Sequence, residues 1–201
     1  MQNLPYASCS ERRWLWLCTT ALLLWAPGVG GLLKHSMLSH MLVQLSALVL
    51  VGYGLGATLL RTHPRLSALA HTHRWACLIT AVTTMSVWMI PRLLDSAVEN
   101  PWVDAVKALS LVLMAGVPLA LAWRRLPVTA RCLLHVEALA TLWRLGWLYL
   151  ESPIRLCNRY DLDDQWRLGY WMLALGAVYC TYLACVALAG VGTTPSTPPH
   201  A

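Results

Sequence analysis

The chain has 201 residues, of which 58% are hydrophobic and 12% charged, with a mean hydropathy of +0.54 and a formal net charge of +6. Soluble domains carry roughly a quarter charged residues, so the composition points away from a soluble domain and towards an integral membrane protein. The apolar runs are too continuous for period-2 barrel strands, which leaves an all-α, polytopic transmembrane helical bundle. Its positive charge fits the Lys and Arg excess of cytoplasmic loops rather than a nucleic-acid partner.

Six spans are expected within one domain, residues 1–190. Met1–Arg13 is a polar lead-in. Trp14–Leu33 is the first span, and it resembles a signal peptide with a poor cleavage site, so a retained helix is expected. The second span, Met37–Leu60, is closed by the basic loop Arg61–Arg74. Trp75–Ile90 is the third, ended by Pro91, with Leu93–Val98 expected as a short interfacial helix. Val103–Trp123, Cys132–Leu150 and Arg167–Gly190 complete the set. The longest polar loop, Glu151–Gln165, is acidic. Val191–Ala201 reads as a disordered tail.

Orientation follows from the basic residues. With the N-terminus inside, Arg12, Arg13, Arg61, Arg65, Arg74, Arg124, Arg125 and Arg131 face the cytoplasm, against Lys34, Arg92, Arg155, Arg159 and Arg167 outside. The acidic loops then lie outside, and the expected location is a bacterial cytoplasmic (inner) membrane.

This orientation gathers His35, Met37, His40 and Met41 at the outer end of span two, Met85 and Met89 at the outer end of span three, and Met172 near the start of span six. Met37, His40, Met41 and Gln44 share one helical face. Thioether and imidazole suit Cu(I), a soft ion. Met is equally a gap-filler in apolar helices.

Three segments carry a family resemblance. Trp88–Ala105, WMIPRLLDSAVENPWVDA, is similar to the Trp-His-x-Pro turn and following short stretch of the CtaG family of cytochrome c oxidase assembly proteins. His35–Leu42, HSMLSHML, resembles that family's His-rich early helix. Asp164, Gln165 and Gly169 match its Asp-Gln with following Gly. The matches fall in family order. The chain departs from the pattern at Met89, where the family has His, and at Asp104 and Ala108, where it has two histidines four apart. The Pro that usually follows the early segment is missing, and six spans are fewer than usual. The resemblance implies a membrane assembly factor for a haem-copper oxidase or related cuproenzyme. It would handle copper as Cu(I) at His35, Met37, His40, Met41 and Met89, with an oxidase subunit or other cuproprotein as client, and the lipid bilayer as its surroundings. The alternatives are a metal-free scaffold of a membrane complex and a small copper permease. Below Gln44, span two offers only Ser46, Tyr53 and Thr58, which counts against a permease.

Charges within the spans are costly and usually face the bundle or snorkel. Lys107 is expected to snorkel while paired with Asp104. Glu137 and Arg144 are expected to face other helices without touching each other. His135 reads as interfacial. The seven Cys show no CxxC and imply no disulfide framework. There is no nucleophile elbow, zinc-protease motif or phosphate loop, so nothing supports catalysis.

Overall fold

The computed structural model describes residues 35–157 and 160–191, together with Trp16 and Thr20. The expected first span otherwise lies outside the described residues, as does the tail beyond Val191. The described chain is all helix, with no strand among these residues. Helix α1 spans Ser39–Thr62 and opens with a π turn, Ser39–Gln44. It is followed by α2 (Pro64–Thr72), α3 (Arg74–Trp88) and α4 (Pro91–Glu99). Helix α5 (Pro101–Trp123) contains a second π segment, Leu111–Gly116. An antiparallel hairpin of α6 (Val128–Glu151) and α7 (Leu162–Val191) ends the chain.

Proline sets three of the boundaries. A residue before proline is pushed out of the helical region. His63, Ile90 and Asn100 are all extended, and Pro64, Pro91 and Pro101 each open the next helix, where the missing N–H costs nothing. Asn100 also caps α5, its side chain accepting from the Trp102 amide at 2.9 Å.

Three helices are long and apolar enough to cross a membrane: Ser39–Thr62, Pro101–Trp123 and Leu162–Ala189. They match three of the expected spans to within a few residues. Helix α3 has 15 residues, about 22 Å at 1.5 Å per residue, which is short of ~30 Å of hydrocarbon. It turns by 73° into α4, and the bent pair would make a fourth span. Helix α6 is long, but Arg131, Glu137 and Arg144 interrupt its apolar run, and it is not among these spans.

Helix α5 is the centre of the bundle. Both α1 and α3 pack along it, and they do not pack on each other to any comparable extent. Spans two and three are therefore not direct neighbours: the fourth lies between them. Between membrane helices the hydrophobic drive is weak, and close approach of small residues carries the association. Gly52 and Gly56 on α1 face Gly116 and Ala120 on α5. A Cβ on Gly52 would sit 2.9 Å from the Gly116 Cα, and one on Gly56 would sit 2.8 Å from the Ala120 Cβ. No side chain larger than hydrogen fits at Gly52 without separating the helices.

The hairpin packs on itself along its length, with Gly146 against Gly169 and Leu173, and Gly176 against Trp143. It meets the bundle at two places. At the His40 end, Tyr149, Cys157, Leu168 and Met172 join the main core cluster. At the opposite end, the Trp123 ring stands edge-on to His135 with centroids 5.4 Å apart, and His135 Nδ1 pairs with the Tyr179 hydroxyl. His135 is thus partly buried and held between Trp123 and Tyr179.

Candidate functional site: a buried ionic clasp at the His40 end

The π turn of α1 carries His40, Met41 and Gln44, and Met37 lies just before it. Such turns are frequent at functional positions. The expected common face is observed: Met37 and His40 are 0% exposed, Gln44 1% and Met41 5%. His35 is exposed. Met172 is buried in the same cluster, and Met85 and Met89 pack against it half-buried.

The centre of this end is Lys107, which is completely buried. Its Nζ lies 2.8 Å from Asp104 Oδ1, one turn back on α5, and 3.5 Å from His40 Nε2 on α1. The expected pairing with Asp104 is present, and the expected snorkelling is not. Packing around α5 leaves the ammonium no path to water. A buried charge survives only if it is paired and hydrogen-bonded, and a carboxylate and an imidazole replace its hydration. An ammonium is donor-only, so the His40 nitrogen facing it is the acceptor and the ring proton belongs on Nδ1. That Nε2 lone pair is one that a soft metal would otherwise take.

The surroundings lock the clasp in place. Ser110 Oγ donates to the Lys107 carbonyl at 3.0 Å and accepts from Trp88 Nε1 at 2.7 Å, tying α3 to α5. The Tyr149 hydroxyl donates to Met41 Sδ at 3.6 Å, tying α6 to α1. Gln165 is 2% exposed. Its Nε2 donates to the Tyr149 carbonyl at 3.2 Å and its Oε1 accepts from the Leu156 amide at 2.9 Å, which folds the loop between α6 and α7 over the cluster. Cys157, in that loop, is 2% exposed. Burial pushes its thiol up to about 12, and the Asp95 carboxylate acts in the same direction, so it stays a neutral thiol.

Sequence reasoning singled out His40, Met37, Met41, Asp104 and Lys107, but not the contact between His40 and Lys107, which are 67 positions apart. It missed Tyr149, Ser110 and Trp88 as polar fasteners. Isolated hydroxyl and indole groups in apolar runs are the signal that could have found them, since buried polar groups need partners. Among the described residues, no group of three or more His, Cys, Asp or Glu is arranged to hold a metal.

A second ion pair has the opposite setting. On α6, Arg144 Nη2 bonds Glu137 Oε1, and Arg144 Nε bonds the Ala140 carbonyl at 3.2 Å. Their side chains are 64% and 59% exposed. The sequence expectation is corrected twice here. The long arginine does bridge seven residues, and no described helix covers the pair.

The fold and clasp define a class: an α-helical bundle with helices long and apolar enough to cross a membrane and a buried histidine, lysine and aspartate at one end. Against protein-family models, curated proteins and solved structures, the chain matches none.

Proposed function

We propose that this chain is a membrane assembly or scaffold protein that works without a metal at His40. The single observation carrying this reading is the Lys107 ammonium, wholly buried, bridged to Asp104 and 3.5 Å from His40 Nε2. A cation already occupies the space beside that nitrogen. A second cation there would be repelled in a medium where charges interact strongly. The clasp instead serves as a fixed strut, and the exposed faces of the molecule are left to meet partners. The client class follows from the resemblance to the CtaG family: a haem-copper oxidase or a related cuproenzyme in a bacterial inner membrane. The six-span topology, with the N-terminus and the basic loops inside, belongs to the same proposal. It puts the His40 end and the acidic loops outside.

A second reading has its own observation. Met37, Met41, Met85, Met89 and Met172 gather in or against one core cluster, which favours transient Cu(I) handling by thioethers with His35 at the surface. The two readings separate on copper content. Purified protein loaded with Cu(I) under reducing conditions should retain the same low amount in wild type, His40→Ala and Met89→Leu. Retention that falls in Met89→Leu alone would establish the thioether reading, and a fall in His40→Ala as well would overturn the metal-free reading at His40.

A further inference from the structure

Ionisable side chains within a membrane turn inward to protein partners, yet Glu137 and Arg144 lie largely exposed on α6. Their depth is fixed by the helix beside them. Helix α6 runs antiparallel along α7, whose Leu162–Ala189 stretch is long and apolar enough to cross a bilayer. Gly146 meets Gly169 and Leu173, Trp143 meets Gly176, and His135 meets Tyr179. These contacts set Arg144 near the level of Leu173, and Glu137 between the levels of Gly176 and Tyr179. The pair therefore brackets the middle of the α7 span, where lipid offers only acyl chains.

Arg144 does not escape by snorkelling. Its guanidinium runs back towards Glu137, away from the nearer end of α6 at Glu151. Two of its five N–H groups are used, on Ala140 and Glu137. The other three point to an acceptor that the described residues do not supply. Beside it, Trp143, Trp147 and Leu173 line a shallow, open groove with Arg144, of about 600 Å³. Tryptophan and arginine together are the side chains that most often anchor an interface.

We propose that the face of α6 formed by Glu137, Arg144 and Leu148 docks a transmembrane helix of another membrane protein, one that carries a carboxylate at the depth of Arg144. This rests on the membrane-scaffold reading and names the chemistry of its partner. Charge complementarity chooses the occupant. A second copy in the same orientation would set Arg144 beside Arg144 and Glu137 beside Glu137. The chain's own apolar stretch, Trp14–Leu33, has no charged side chain to answer the guanidinium. A carboxylate accepts the remaining N–H groups in the fork geometry that arginine presents.

The probe is a synthetic polyleucine transmembrane helix with one central Asp, beside an all-Leu twin. Each is co-reconstituted in phosphatidylcholine vesicles with the full chain bearing a photo-crosslinking residue at Leu148. The Asp helix should crosslink at least ~10-fold more than its twin. Arg144→Leu should abolish that preference. Glu137→Gln, which keeps the guanidinium, should retain it and keeps the test decisive should Arg144→Leu fail to fold. Equal crosslinking of both helices would overturn the proposal. So would crosslinks mainly between copies of the chain, or mainly into its own residues 14–33. Any of these failures leaves the copper measurement at His40 unaffected, so loss of the partner helix and loss of the metal-free reading are told apart.

Discussion

Two of the ion pairs among the described residues have the same chemistry in opposite settings. In the bundle, Lys107 and Asp104 are enclosed by α1, α3 and α5, and a histidine from another helix completes them. On the hairpin, Arg144 and Glu137 bridge along one helix and face outward. The difference lies in what surrounds each pair. Lys107 sits on the helix around which the bundle is built, so every neighbour is protein. Arg144 sits on a helix whose one extensive partner among the described residues is α7, on its other side. A buried pair holds a fold in one arrangement, whereas an exposed pair at membrane depth is left open to something else.

The largest effect expected from breaking this contrast lies in the close packing under the clasp. Gly52→Leu puts a branched side chain where a Cβ alone meets Gly116 and the Val112 carbonyl. It should cost more than about 3 kcal/mol, the upper range for overpacking, because backbone opposes it. Unfolding in mixed micelles should show separation of α1 from α5, with little soluble folded protein recovered.

Next comes the clasp itself. Lys107→Met leaves Asp104 buried without its counter-ion and should cost about 3–5 kcal/mol. The double variant Lys107→Met/Asp104→Leu should recover much of that, because removing a whole buried pair is far cheaper than breaking it. The same denaturation assay reads both. A single variant as stable as wild type would mean that Lys107 reaches water, contrary to its burial.

On the hairpin the equivalent change should barely register. In detergent micelles, where water and mobile headgroups reach this open face, Glu137→Gln in the isolated chain should alter stability by about 0.2–1 kcal/mol, the range for pairs that water reaches. A loss comparable to that of Lys107→Met would show that α6 is covered within the monomer and would erase the contrast.

How far the sequence foretold this contrast depends on the range of each interaction. The helix boundary at Ile90-Pro91 was legible, because proline acts on its immediate neighbour; the helix Pro64–Thr72 inside the expected basic loop, and the start at Pro101 rather than Val103, were not read although proline marks both. The common face of Met37, His40, Met41 and Gln44 was legible because periodicity survives even a π turn. The pairing of Asp104 with Lys107 was legible at i and i+3. The fate of Lys107 was not, since snorkelling or burial depends on which helices flank α5, and nothing local encodes that α5 separates α1 from α3. The reach of Arg144 to Glu137 was missed for another reason: residues seven apart are two turns distant, and only the length of an extended arginine closes the gap.

The smallest effect concerns the loop that covers the clasp. The Cys157 thiol, held up to about 12 by burial, should be alkylated at pH 8 at least ~100-fold more slowly than exposed Cys132, because the thiolate is the nucleophile. The sign of the linked stability follows. The fold favours the neutral thiol, so this contribution is complete below the ordinary thiol value near 9 and is lost as pH rises towards 12. Gln165→Ala, which releases the Leu156 amide and the Tyr149 carbonyl, should speed the labelling. Unchanged, rapid labelling in the wild type would show that the loop is open.

The central claim is that Lys107 fills the place a metal would need at His40, and the most direct measurement is a Cu(I) titration under a competing chelator. Wild type, Lys107→Leu/Asp104→Leu and the same double variant with His40→Ala are compared in detergent. The account predicts that removing the ammonium and its carboxylate raises Cu(I) affinity at least ~10-fold, and that this gain disappears with His40. Tight Cu(I) binding by the wild type that depends on His40 and is undiminished by the presence of Lys107 would contradict it.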